Sequence, residues 1–178
     1  MAPAFLGRLL QSRTADRSLS VWEKLQGLPG IVITSPSFVD GQPIPKRHAG
    51  SGVGENVSPA LEWHGVPIEA DHLVLVIEDV DVPFARPLIH TMTIIDADAT
   101  ALAEGALAKG APGVEHLKGL FGSGYRGPRP IVGHGPHHYR FMIFAVEGDI
   151  DTTSQKTAVE SMEGRILARG RLTGTYER

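Results

Sequence analysis

Leu73-Val74-Leu75-Val76-Ile77-Glu78-Asp79-Val80-Asp81-Val82-Pro83 is the stretch on which the fold turns. Its first five residues are aliphatic without interruption, so no polar alternation marks a wet face. A run this short, rich in β-branched residues, reads as a central strand buried on both sides. Carboxylates follow at once, and Pro83 cannot donate to a sheet ladder, so pairing ends there. Acidic groups at the end of a buried strand have two readings. They face the mouth of a pocket, or they hold a solvated turn by bonding local amides.

His90 to Ile95 and Tyr139 to Val146 are further strong strand segments, and Ile31 to Ile33, Ser37 to Val39 and Leu172 to Tyr176 are shorter ones. Gln42 to Pro59 is rich in Gly, Pro, Ser and Asn and reads as one long loop. The span 97–136 has helical and turn character with little periodicity. Ala158, Val159, Met162, Ile166 and Leu167 recur at helical spacing, with N-cap candidates at 152–154. The expected fold is therefore mostly β: an antiparallel β-sandwich with peripheral helices, one of them near the C-terminus. Residues 1–28 read as a helical appendage to a domain spanning 29–178, because Phe5/Leu9, Leu6/Leu10 and Trp22/Leu25 sit at helical spacings. Such helices pack on the domain or on a second subunit, which makes a homodimer a possible assembly.

Composition narrows the function. The chain has 178 residues and a net charge of −3, which argues against a generic basic face for nucleic acid. It has no cysteine, which removes disulfides, thiol catalysis and cysteine-based zinc sites. No apolar run approaches the length of a membrane span, and the N-terminus lacks a continuous hydrophobic region, so the cytoplasm is the expected compartment.

The second chemically loaded stretch is Gly124-Tyr125-Arg126-Gly127-Pro128-Arg129-Pro130-Ile131-Val132-Gly133-His134-Gly135-Pro136-His137-His138-Tyr139. Glycines and prolines make a shaped loop that can lay backbone N–H groups against a ligand, and such concavities favour anions. Histidines add a charge that switches near neutrality, and tyrosine adds a hydroxyl donor. The alternative is a loop that is structural only.

Together the two stretches carry a resemblance. Asp79-x-Asp81-x-Pro83, a histidine at 90, and Gly127-Pro128-x-Pro130…Gly133-His134-Gly135-Pro136-His137-x-Tyr139 are similar to the paired signatures of the phosphatidylethanolamine-binding-protein family, including its bacterial Raf-kinase-inhibitor-like branch. Ser58-Pro59-Ala60-Leu61-Glu62-Trp63 resembles a third stretch of that family. The resemblance implies a β-sandwich with one small cavity. It implies ligand-binding roles for Asp79, Asp81, His90, Gly127, Pro128, His137 and Tyr139, with His138 in the place of the family's arginine. Val80 and Val82 depart from the usual Pro and Ala, Thr91 stands where bacterial relatives carry Trp, and Ile131-Val132 replaces a proline and a polar residue. Thr91 is expected to widen or rewet the pocket.

The expected function is a binding protein for a phosphorylated or otherwise anionic small ligand, with His90 and His137 sharing the anion, and a regulatory role. The alternatives are a protein-docking inhibitor module and an acid–base enzyme working in the same cavity. No Gly-x-Ser-x-Gly elbow or activated nucleophile is present, so a covalent hydrolytic route is disfavoured. No cofactor is implied. A metal site from His90, His134 and His137 is the weakest reading, because no acidic residue lies beside the loop histidines.

Overall fold

The computed structural model describes residues 4–120 and 122–178. Among these, nine strands form two sheets: β1 (Leu28–Pro29), β2 (Val32–Thr34), β3 (Leu61–His64), β4 (His72–Asp79), β5 (Leu88–Asp96), β6 (Ala101–Leu102), β7 (Val114–His116), β8 (His137–Val146) and β9 (Ile166–Tyr176). The larger sheet has the order β1-β9-β8-β4-β5-β7 and the smaller one β2-β3-β6.

The aliphatic run occupies the middle of the larger sheet, where β4 pairs antiparallel with both β5 and β8. Successive side chains of a strand point to opposite faces. Leu73, Leu75 and Ile77 thus join a core that also takes Ile33, Leu61, Trp63 and Leu102 from the smaller sheet. Val74 and Val76 face the other way, under Val21, Leu25, Ala158, Val159 and Met162. Burial on both faces explains why this segment has no polar alternation. Each such side chain contributes about 1.5–3 kcal/mol relative to an exposed one.

The protein is mostly β with few helices, as the sequence implies, but its strands are not all antiparallel. β1 pairs parallel with β9. Ser37 to Val39 forms no strand; Phe38 instead inserts its ring against Phe141. The late helix, α3 (Gln155–Met162), starts at the Ser154 cap but ends earlier than the spacing suggests. Gly164 at φ 76 turns the chain, and Ile166 and Leu167 enter β9, which pairs with the length of β8. The alanine-rich stretch after Ala97 forms no helix, because glycines at 105, 110 and 113 adopt positive φ and break it into turns.

Two short N-terminal helices do form: α1 (Ala4–Leu10) and α2 (Val21–Lys24), with a 3-10 turn at Arg17–Leu19 between them. Ser20 caps α2 through its hydroxyl. Arg169 of β9 donates to the carbonyls of Trp22 and Leu25 and stacks on the Trp22 ring, its guanidinium carbon 4.0 Å from the ring centre. Phe5, Leu6 and Leu9 remain exposed on α1. Among the described residues no helix is long and apolar enough to cross a membrane.

Candidate ligand-binding site

The ends of three adjacent strands bring the acidic and basic motifs together. Asp79 closes β4 and lies opposite Tyr139 of β8, two residues past His137, which opens β8. His90 reaches the same place from β5. There the register jumps from Thr91, opposite Ile77, to Ile89, opposite Glu78, so His90 is the additional residue of a β-bulge. A bulge re-aims one side chain without interrupting the strand.

These residues floor a cavity of about 270 Å³, lined by Asp79, His90, Gly127 and His137 together with an apolar wall that includes Val82, Phe84, Leu88 and Ile131. Arg126 and Arg129 also line it, as exposed residues. His90 keeps some accessible surface because it borders the cavity. Its Nδ1–H donates to the Arg126 carbonyl at 3.1 Å. Burial depresses the His90 pKa, only partly opposed by the charge of Asp79.

Asp79 serves both readings of the acidic turn. Its Oδ1 accepts from the Asp81 N–H at 2.9 Å and shapes the turn, while its Oδ2 lies 2.7 Å from His137 Nδ1. The other ring nitrogen of His137, Nε2, lies 2.7 Å from His134 Nδ1. Both nitrogens of His137 are therefore engaged by protein, and the expected sharing of an anion between His90 and His137 has to be revised: His137 offers the cavity its ring, not a vacant nitrogen.

Three other expected residues lie outside the lining. Asp81 turns away to pair with Arg17 and to accept from the His138 N–H and Nδ1, both at 2.7 Å. Burial acts to raise its pKa, but the hydrogen bonds from Arg17 and His138 prevail and hold the carboxyl below the usual range. Pro128 contributes its carbonyl, which accepts from the Gly50 N–H. Tyr139 is fully buried behind the two histidines, edge-on to His90 and stacked on His137 at 6.4 Å. Its hydroxyl makes no well-formed hydrogen bond among the described residues, although the Asp79 carboxylate and the Arg129 backbone lie near enough to bear on its ionisation. Burial, with that carboxylate, pushes the phenol pKa far up.

The backbone N–H cradle expected of the glycine loop is also spent internally. The Gly127 N–H donates to Asn56 Oδ1 at 3.0 Å, and the Arg126 N–H donates to Thr91 Oγ1 at 3.1 Å. Thr91 is buried and does not line the cavity, so in place of the missing aromatic it anchors the loop. What the sequence reading missed is Asn56, which closes the floor from the long Gln42–Pro59 loop, and the two arginines. Arg126 and Arg129 flank Gly127 and Pro128 in the motif, and their alternation around a fixed turn was the available signal.

Comparison with known proteins agrees with this architecture. The sequence profile described as phosphatidylethanolamine-binding protein matches residues 34–177. The chain belongs to the phosphatidylethanolamine-binding protein family. Within that family it is 36% identical over 149 residues to a UPF0098 protein of Methanothermobacter thermautotrophicus, covering 80% of this chain and 95% of that one. The crystal structure of a phosphatidylethanolamine-binding protein homologue from Chlamydia trachomatis superposes with a TM-score of 0.72 at 32% identity, covering 84% of this chain and 98% of that one. Escherichia coli YbcL, described as a member of the mammalian family, gives 0.76 at 27% identity, covering 84% and 99%. As in this family generally, the present member is read as a ligand-binding protein. Among its described residues no group of three or more His, Cys, Asp or Glu side chains is placed to hold a metal ion.

Proposed function

We propose that the cavity binds a small anionic ligand, a phosphate monoester or carboxylate with a short apolar portion, and that the protein acts by binding rather than by turnover. The observation that carries this reading is the set of bases around one concavity. Arg126 and Arg129 stand at its mouth, His90 and His137 form its floor, and its one lining carboxylate, Asp79, is already bonded through both oxygens. Guanidinium groups recognise phosphate and carboxylate through paired, charge-assisted hydrogen bonds. The apolar wall gives such a ligand somewhere to place a methylene or aromatic segment. A volume near 270 Å³ suits a head group and not two acyl chains. Asp81, Pro128 and Tyr139 act in this reading as supports of the binding residues.

A regulatory role in the cytoplasm, as in the Raf-kinase-inhibitor-like branch, is consistent with this chemistry. One Mycobacterium tuberculosis relative, 33% identical, is named as a candidate lipoprotein, LppC, so cell fractionation is the direct check on compartment. A homodimer or protein partner would use the exposed Phe5, Leu6 and Leu9 face. Sedimentation of a Phe5→Ser, Leu9→Ser double variant tests that surface.

Titration of the purified protein with inorganic phosphate, phosphoethanolamine and acetate tests the cavity. Saturable binding that His90→Ala and Arg129→Ala each weaken about tenfold is the expected result. Absence of saturable binding to any of the three, in a folded protein, would remove the anion reading.

A further inference from the structure

The N-terminal helix is fitted against the loop that precedes β8. Gly7 of α1 is buried there, and a Cβ at that position would lie 2.1 Å from the Val132 carbonyl oxygen and 2.6 Å from the His134 backbone nitrogen. Gln11 Nε2–H donates to the Gly133 carbonyl at 3.0 Å. The His134 side chain reaches back under the end of the helix, with Nε2 2.9 Å from the Leu10 carbonyl oxygen and 3.1 Å from that of Arg13. The region matched by the family profile begins at residue 34, so this strap lies outside it.

His134 is also the residue that holds His137. The contacts form one line: Asp79 Oδ2 to His137 Nδ1, His137 Nε2 to His134 Nδ1, and His134 Nε2 to the carbonyls of the strap. A carbonyl only accepts, so His134 must carry its proton on Nε2. Three bonds in line need three protons. Two neutral imidazoles supply two. A third proton completes the line when it sits on His137, the ring that lies against the Asp79 carboxylate; His137 then donates in both directions while His134 Nδ1 accepts. Without the strap carbonyls His134 is free to take the other tautomer, its Nδ1 becomes a donor, and the bond that keeps the proton on His137 Nε2 is lost.

We propose that His134 is a positioning residue through which the strap, residues 4–13, sets the charge of the cavity floor: docked, it holds His137 doubly protonated beside Asp79, and undocked, it leaves that pair one proton poorer. The structural half stands on the hydrogen-bond line alone. Its consequence for affinity rests on the anion reading given above, since a floor that loses a positive charge holds an anion less well.

The test is imidazole 15N NMR of the full chain at pH 7, without ligand, on the wild type, Gly7→Ala and His134→Phe, followed by phosphate titration of each. Gly7→Ala improves helix propensity but cannot dock, and His134→Phe keeps an aromatic ring while removing the link. The expected result is protonation of both His137 nitrogens in the wild type, loss of the Nε2 proton in both variants, and about tenfold weaker phosphate binding. A singly protonated His137 in the wild type, or an unchanged His137 signature in Gly7→Ala or His134→Phe, would overturn the proposal. If the signatures change as expected but phosphate binds to none of the three proteins, the strap coupling holds and the anion reading fails.

Discussion

Glu78 and Asp79 are adjacent in the chain, equally buried, and bonded on opposite faces of the same sheet. Asp79 Oδ2 meets His137 on the cavity side, while Glu78 Oε1 accepts from the Val21 N–H beneath α2 at 3.1 Å. The alternation of a strand produces this split, and it gives the two carboxylates different fates. Asp79 has a histidine against it. Among the described residues Glu78 Oε2 has no hydrogen-bond partner, and burial pushes the Glu78 pKa up to about 7, opposed only in part by the Val21 N–H and the Arg140 charge.

A carboxyl that binds its proton more tightly in the folded chain than in the unfolded one favours folding at low pH. That contribution is complete below the unfolded value, near 4.5, and is lost as pH rises through about 7. The isosteric, uncharged Glu78→Gln variant removes the titration. Urea unfolding of both proteins between pH 5 and 8 is expected to show the variant gaining on the wild type by about 1–3 kcal/mol as pH rises. Parallel stability curves across that interval would contradict a buried, near-neutral Glu78.

Tyr139 carries a second buried polar atom, a hydroxyl that makes no well-formed hydrogen bond among the described residues. An unsatisfied buried hydroxyl costs about 1–3 kcal/mol, so Tyr139→Phe is expected to be neutral or to stabilise the protein by about 1 kcal/mol. Because the hydroxyl is sealed behind His90 and His137, phosphate affinity should stay within about twofold of the wild type, where a directly donating tyrosine would cost several-fold more. Thermal denaturation with phosphate titration separates the two roles. A large loss of affinity at unchanged stability would return Tyr139 to the ligand-contacting set.

How far the sequence could have revealed this depends on whether information was local. The Leu73–Ile77 run declares a doubly buried strand, and its flanking Asp79 and Pro83 mark the end of pairing; both follow from residues within one segment. Asp79 and His137 were nameable because their motifs sit at strand ends, and His90 through the family resemblance that sets it beside them. Their bonding was not, since whether a nitrogen of His137 meets a ligand or His134 depends on where α1 docks, more than a hundred residues away in the chain. The alternation of Arg126 and Arg129 marked them, but their part in the site, like that of Asn56, was hidden for a related reason. Each lies in a loop whose path is set by tertiary bonds such as Asn56 Nδ2 to the Tyr125 carbonyl and Tyr125 Oη to the His48 carbonyl, and periodicity is silent about loops. The missed C-terminal boundary of α3 shows propensity yielding to pairing: Ile166 and Leu167 fit a helical stripe, but β8 offers them a strand partner.

Gly127 is where that loop meets the Lys46–His48 turn, and it fixes the cavity's shape by what it lacks. A Cβ there would stand 2.0 Å from the His48 carbonyl oxygen and 2.8 Å from the Ala49 carbonyl carbon, both backbone atoms that cannot swing aside as a side chain can. Gly110 offers the contrast, since it has positive φ of 80° but open space around it. Gly110→Ala should cost only the conformational penalty, about 1–2 kcal/mol. Gly127→Ala must push two segments apart, with an expected loss above about 3 kcal/mol and a phosphate affinity lowered along with it, because Arg126 and Arg129 ride on the displaced loop. Chemical denaturation and phosphate titration of the two variants side by side decide the matter. Equal destabilisation would mean that the loop yields freely and that close approach at Gly127 does not shape the site.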